Sequence, residues 1–132
     1  MQRHRAAAVD VVYLLDTSVW IDHFRSPSPT LADIDVSDLL THPFVIGELA
    51  CGMFRRRREV LERLTDLPAA TVASNEEVLQ FIEEHRLMGR GIGYIDAHLL
   101  ASVALTRNAQ LWTHDKHLAA VAAELRLGLS RN

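Results

Sequence analysis

Four acidic residues stand where ordinary surface chemistry does not call for them: Asp16, Glu48, Asp96 and Asp115. Asp16 terminates the apolar run VVYLL at residues 11–15 and is followed by two small hydroxyls, Thr17 and Ser18. Near the other end, Thr113 and Asp115 follow Leu111 and Trp112 in the stretch LWTHD. If both apolar runs are strands of one parallel sheet, these groups meet at its carboxyl edge, where open sheets bind ligands. The other two acids belong to helical patterns. Asp96 precedes Leu99, Leu100 and Val103 at the three-, four- and seven-residue spacings of one face. Glu48 follows Phe44 by four residues and precedes Cys51 and Gly52 by three and four, so it too is expected on a buried face.

Each acid has a plainer explanation when taken singly. Asp16 and Asp115 could cap helices, Asp96 could favour a helix N-terminus, and Glu48 could pair with Arg55 or Arg56. Those explanations leave the convergence of the set unaccounted for. Buried carboxylates neutralise or find a partner, yet the only lysine is Lys116 and no arginine adjoins Asp16. Converging carboxylates with a single cysteine, Cys51, in the chain suit a hard cation such as Mg²⁺ or Mn²⁺ better than zinc. Histidine does not change the donor set. His98 lies two residues from Asp96, about 200° around a helix, and so faces away. His114 and His117 flank Asp115 and read as residues of a solvated loop, with support of Asp115 as the alternative.

The elements that must hold these residues follow from periodicity. Residues 9–15 are rich in Val, Leu and Tyr without alternation, as in a central strand covered on both faces. A helix is predicted over 17–24, a loop over 25–29, a short strand over 39–42 and a helix from Pro43 to about Arg58. A further helix over 59–64, a weak strand over 69–73 and a helix over 75–85 follow, the last opened by a Ser74–Glu77 capping box. Gly89, Gly91 and Gly93 break the chain before a helix over 94–106, with Asn108 as its left-handed stop. A strand at 111–113 and a helix at 116–127 complete the order. Alternation of this kind implies an α/β fold, a mainly parallel sheet of four to five strands between two helix layers.

With 132 residues, 48% hydrophobic and 23% charged, the chain has the size and composition of one globular domain. Residues 1–8 are expected to be an N-terminal extension and residues 9–128 a single domain. The basic, then apolar start resembles a signal peptide only faintly, because Asp10 interrupts it. No run approaches the ~18 apolar residues of a membrane span, and the lone cysteine suits a reducing cytoplasm. The net charge of −3 does not advertise a nucleic-acid binder, but thirteen of fourteen basic residues are arginine and four of them are consecutive, Arg55–Arg58. Such a run is either a phosphate- or carboxylate-binding patch or a solvated helix face.

The motifs LLDTSVWIDHF, VIGELACG, GYIDAHLLASVAL and LWTHDKHL, taken in order, resemble those of the PIN-domain family, and most closely its VapC toxins. The resemblance runs from about Val11 to Leu127. It implies a three-layer α/β/α domain and an endoribonuclease site dependent on Mg²⁺ or Mn²⁺. Asp16, Glu48, Asp96 and Asp115 match the family's four acids, and Thr113 matches the small hydroxyl residue two before the last. Some relatives carry another acid two positions after that one, where His117 stands here. The resemblance further implies RNA as substrate, a VapB-type antitoxin as partner, a homodimer and a toxin–antitoxin hetero-oligomer, and operator DNA reached only through the antitoxin. Arg25, Arg55, Arg56, Arg57, Arg58, Arg86 and Arg90 are then candidates for contact with RNA or antitoxin. Setting aside the four acids moves the formal charge from −3 to +1, so an occupied site need not repel a polyanion.

Competing readings meet specific obstacles. A phosphorelay receiver needs an acidic pair at the first strand end, where Leu15 precedes Asp16, and a haloacid-dehalogenase phosphatase needs an acid where Ser18 stands. The glycines at 89, 91 and 93 follow no predicted strand, so a dinucleotide fingerprint fails. The alternative from a different class is a catalytically weak interaction module acting as the antitoxin's partner in a DNA-binding complex. Divalent-metal binding separates it from the enzyme.

Overall fold

A computed structural model describes residues 10–129. The expectations for residues 1–8 and for Val9 lie outside these described residues. A parallel three-stranded sheet has β1 (Val12–Leu15) at its centre, flanked by β2 (Leu39–Leu40) and β3 (Ala109–Trp112). Register places Tyr13 beside Leu39 and Gln110, and Leu15 beside Trp112. The sheet is narrower than four or five full strands. Its two outer positions are single parallel bridges, Thr41 to Ala69 and Leu111 to Gly128. The stretch 69–73 has no alternating or aromatic pattern to hold a longer ladder, so only its first residue pairs.

Among the described residues, seven α-helices flank the sheet: α1 (Thr17–Arg25), α2 (Pro29–Ala32), α3 (Pro43–Ala50), α4 (Arg57–Thr65), α5 (Asn75–His85), α6 (Tyr94–Leu105) and α7 (Lys116–Glu124). Helix α2 begins at the last residue of the loop expected over 25–29 and runs through residues for which no element is predicted. Ser28 caps it by accepting from the Leu31 N–H at 3.2 Å, and Pro29 takes its first turn. The helix expected from Pro43 through Arg58 breaks after Ala50. Gly52 weakens helix propagation, and Arg56 enters α4 in the left-handed region at φ 57°. The Arg57 guanidinium then donates to the Ala50 carbonyl at 2.6 Å, satisfying an end of α3. The Ser74–Glu77 capping box and the left-handed Asn108, φ 61°, form as expected.

Helix α6 is apolar around most of its circumference, and all seven residues from Ala97 to Val103 are buried. It therefore lies inside, packed between α5 and β3. That placement fixes Asp96, in its first turn, relative to the sheet. Two buried polar side chains anchor it to α3: His42 Nε2 bonds Ser102 Oγ at 3.0 Å, while His42 Nδ1 accepts the Phe44 N–H at 3.0 Å. Because Nδ1 must accept, the proton of a neutral His42 resides on Nε2. His98 does face away from Asp96, but into the interior, 4.4 Å from the Phe44 ring.

Candidate active site

The carboxyl edge of the sheet positions the first group of site residues. Asp16 follows β1 directly, is 6% exposed, and is tied to the neighbouring strand through its N–H to the Trp112 carbonyl at 3.0 Å. Its two carboxylate oxygens have separate partners. Oδ1 accepts from the Ser18 N–H at 2.9 Å, the Val19 N–H at 3.3 Å and the Ser18 hydroxyl. Oδ2 accepts the Thr113 hydroxyl at 2.5 Å. Thr113 in turn accepts the Asp115 N–H at 3.0 Å. Its hydroxyl thus orients Asp16 through the side chain and Asp115 through the backbone.

The caps suggested by the sequence are real and coexist with this convergence. Asp16 caps α1, and Asp115 caps α7 by accepting the Leu118 N–H at 2.9 Å. Asp96 accepts the Gly93 N–H at 3.1 Å in the first turn of α6. Its carboxyl is pushed above the ordinary aspartate range. Burial is the main cause. The Gly93 N–H opposes the rise, and the charges of Asp115, Asp16 and Glu48 add to it. The other three acids predicted from the sequence therefore all act on Asp96.

Glu48 departs from expectation by being exposed rather than turned into the core. The short α3 ends two residues later, so no following turn covers it. Instead of an ion pair with Arg55 or Arg56, it accepts the Thr17 hydroxyl at 2.7 Å, which bridges α3 to the start of α1. Sequence reasoning gave no role to Thr17 or Ser18, although each holds a site acid. Their signal was available, since both are hydroxyls within two residues of the strand-end acid.

The seven candidate arginines separate into groups. Arg25, Arg55 and Arg56 line a cleft of ≈ 790 Å³ between α1 and the α3–α4 elbow, with Glu48 on the same wall. Its floor includes Phe24 and Phe54, stacked at 4.9 Å. Arg57 is spent on the Ala50 carbonyl, and Arg90 forms a two-bonded fork with Glu124 at 2.6 and 3.2 Å. Arg58 is exposed along α4, and Arg86 ends α5 at φ 54°. The loop before α6 depends on glycine at one point: Gly91 has φ 80°, and a Cβ there would lie 3.0 Å from the His117 ring.

Among the described residues, no three Asp, Glu, His or Cys side chains are gathered as a ready-made metal cage. The donor chemistry nevertheless fits a hard cation. It is all oxygen, and a divalent ion among the acids would offset the repulsion that adds to the rise at Asp96.

Known proteins share this architecture. The PIN domain pattern matches residues 13–124. Ribonuclease VapC32 of Mycobacterium tuberculosis is 45% identical over 118 residues, covering 89% of this chain and 95% of that protein. Two solved structures share the fold at TM-score 0.56 and 20% identity. They are PAE2754 from Pyrobaculum aerophilum, covering 85% of this chain and 80% of that one, and VapBC-1 from nontypeable Haemophilus influenzae, covering 86% and 94%. The chain belongs to the PIN-domain family, as a VapC-type member.

Proposed function

We propose that this protein is an endoribonuclease toxin that hydrolyses RNA phosphodiester bonds with Mg²⁺ or Mn²⁺ and is neutralised by a VapB-type antitoxin in the cytoplasm. The observation that carries the reading is that Asp16, Glu48 and Asp115 all act electrostatically on Asp96, in a chain 45% identical to a ribonuclease. A bound divalent ion would acidify a water and offset charge building on the phosphate. Asp16 and Asp96 are its proposed direct ligands, because both are held from below by backbone N–H groups. Glu48 and Asp115 hold the ion directly or through water, or take the proton of the attacking water. Thr113 and Ser18 keep Asp16 from rotating out of this arrangement.

Glu48 lines the elbow cleft together with Arg25, Arg55 and Arg56, so RNA held at the site would meet these arginines as a positive rim. Replacing all three with alanine is expected to weaken RNA binding roughly tenfold or more at low salt, and to reduce the slope of log K against log salt by about 2 for single-stranded RNA. Filter binding across a salt series checks this. The same rim suits an acidic antitoxin segment, and assembly through homodimers would present two such rims to a paired antitoxin.

The enzymatic reading is tested by incubating antitoxin-free protein with cellular RNA. Discrete cleavage in Mg²⁺ or Mn²⁺ that EDTA stops is the expected result. RNA cut equally well in EDTA would overturn the metal-dependent reading.

A further inference from the structure

His114 separates Thr113 from Asp115, and neither the four-acid arrangement nor the arginine rim gives it a role. Two bonds tie it to α1. Its backbone N–H donates to Ser18 Oγ at 3.1 Å, and its ring Nδ1 meets Asp22 Oδ2 at 2.6 Å. Asp22 lies one turn beyond Ser18 on α1, so the two attachment points share a helical face. The Ser18 hydroxyl is also the group that donates to Asp16. One short segment, 113–115, is thereby attached to the first helix at three adjacent points, through Thr113 to Asp16, through His114 to Ser18 and through His114 to Asp22.

We infer that Asp22 and His114 form a positioning clasp that fixes the reach of Asp115 toward Asp16 and Asp96, and so sets how tightly the acid site holds a divalent cation. The inference rests on the metal-dependent reading above. Asp115 is exposed and begins α7 after a loop with no ladder hydrogen bonds of its own. A loop of that kind wanders unless side chains pin it. The Asp22–His114 pair is itself exposed, with side chains 55% and 44% accessible. It therefore contributes little to global stability. Its effect is local: it removes freedom from the residue on either side of His114, both of which serve the site. Asp22 and His114 touch no metal and no substrate in this role.

The test compares Asp22→Ala and Asp22→Asn in the full chain, with two readouts. The first needs no metal: amide exchange at His114, Asp115 and Leu118. Asp22→Ala is expected to speed exchange at all three about tenfold, with the α6 amides and the melting temperature unchanged. Asp22→Asn keeps an oxygen to accept the His114 ring N–H and is expected to restore parental exchange. The second is calorimetric Mn²⁺ binding, expected to weaken about tenfold in Asp22→Ala and to recover in Asp22→Asn. Unchanged exchange in Asp22→Ala would overturn the clasp, as would a matching loss of α6 protection, which signals general destabilisation. If exchange responds but the parent protein binds no Mn²⁺, the metal-dependent reading fails and the proposed link from clasp to cation falls with it. If the parent binds Mn²⁺ and Asp22→Ala binds it equally well, the clasp alone is overturned.

Discussion

Asp96→Asn is expected to lower RNA cleavage roughly a thousandfold, the scale of several kcal/mol that a well-placed cation supplies, while leaving the fold as stable as the parent or more so. The second half of that expectation comes from the acid's environment. Burial and the charges of Asp115, Asp16 and Glu48 hold the Asp96 carboxyl above its ordinary value of 3.8. The folded chain thus binds its proton more tightly than the unfolded chain does. As pH rises above 3.8, unfolding becomes easier, and the penalty is complete once the folded-state carboxyl has ionised. At neutral pH the charge costs stability, and asparagine removes it while keeping an oxygen for the Gly93 N–H. Denaturant unfolding at pH 7 checks the sign, and single-turnover cleavage checks the rate. A variant that cleaves normally would show that Asp96 is no part of the chemistry. Mn²⁺ should raise the melting temperature of the parent and leave that of Asp96→Asn nearly unmoved, since only a ligand that binds the native state stabilises it.

Acid should weaken the fold through His42, by an amount comparable to that of a typical large-to-small core substitution, about 2–5 kcal/mol. Burial, then the neighbouring His98, lowers the His42 imidazole to about 4 from its usual 6.5. Protonation would place a hydrogen on Nδ1, opposite the Phe44 N–H that this nitrogen accepts in capping α3. The unfolded chain therefore takes up this proton first. Stability from His42 is complete above pH 6.5 and is lost as pH falls toward about 4, by about 3 kcal/mol in all. Carboxylates titrate in part of the same window, so the comparison is with His42→Asn, which keeps a capping oxygen and has nothing to titrate. The variant is expected to be less stable at pH 7, having lost ring contacts with Phe44, but to lose clearly less between pH 7 and pH 4.5. Equal pH slopes for the two proteins would remove His42 from the account.

Much of the site was legible because it follows from chain direction. Once residues 9–15 and 111–113 read as parallel strands, Asp16 and Thr113 had to emerge at the same edge, and the register of Leu15 with Trp112 places them there. Asp96 was legible from the apolar face it shares. Glu48 was misplaced because its apolar neighbours implied a longer helix. The break after Ala50 depends on Gly52, on a left-handed Arg56 and on an Arg57 side chain reaching back to a carbonyl. Only the last is a tertiary choice, yet it decides where the elbow cleft forms. Of the outer sheet positions, the weak strand read over 69–73 pairs at Ala69 alone, and the bridge at Gly128 had no reading, for a related reason. Ala69 and Gly128 each contribute one bridge, too little to leave a pattern. Hydroxyl partners such as Thr17 and Ser18 were visible as types but not as bonds, since nothing in spacing says which acid a hydroxyl will choose.

The central claim is that the four carboxylates are a divalent-cation site, and calorimetric titration of antitoxin-free protein with Mn²⁺ tests it most directly. Saturable binding is expected that Mg²⁺ competes away and that Asp16→Asn or Asp96→Asn abolishes while both variants remain folded. Absence of saturable binding in the parent protein, or binding that survives in both variants, would contradict it.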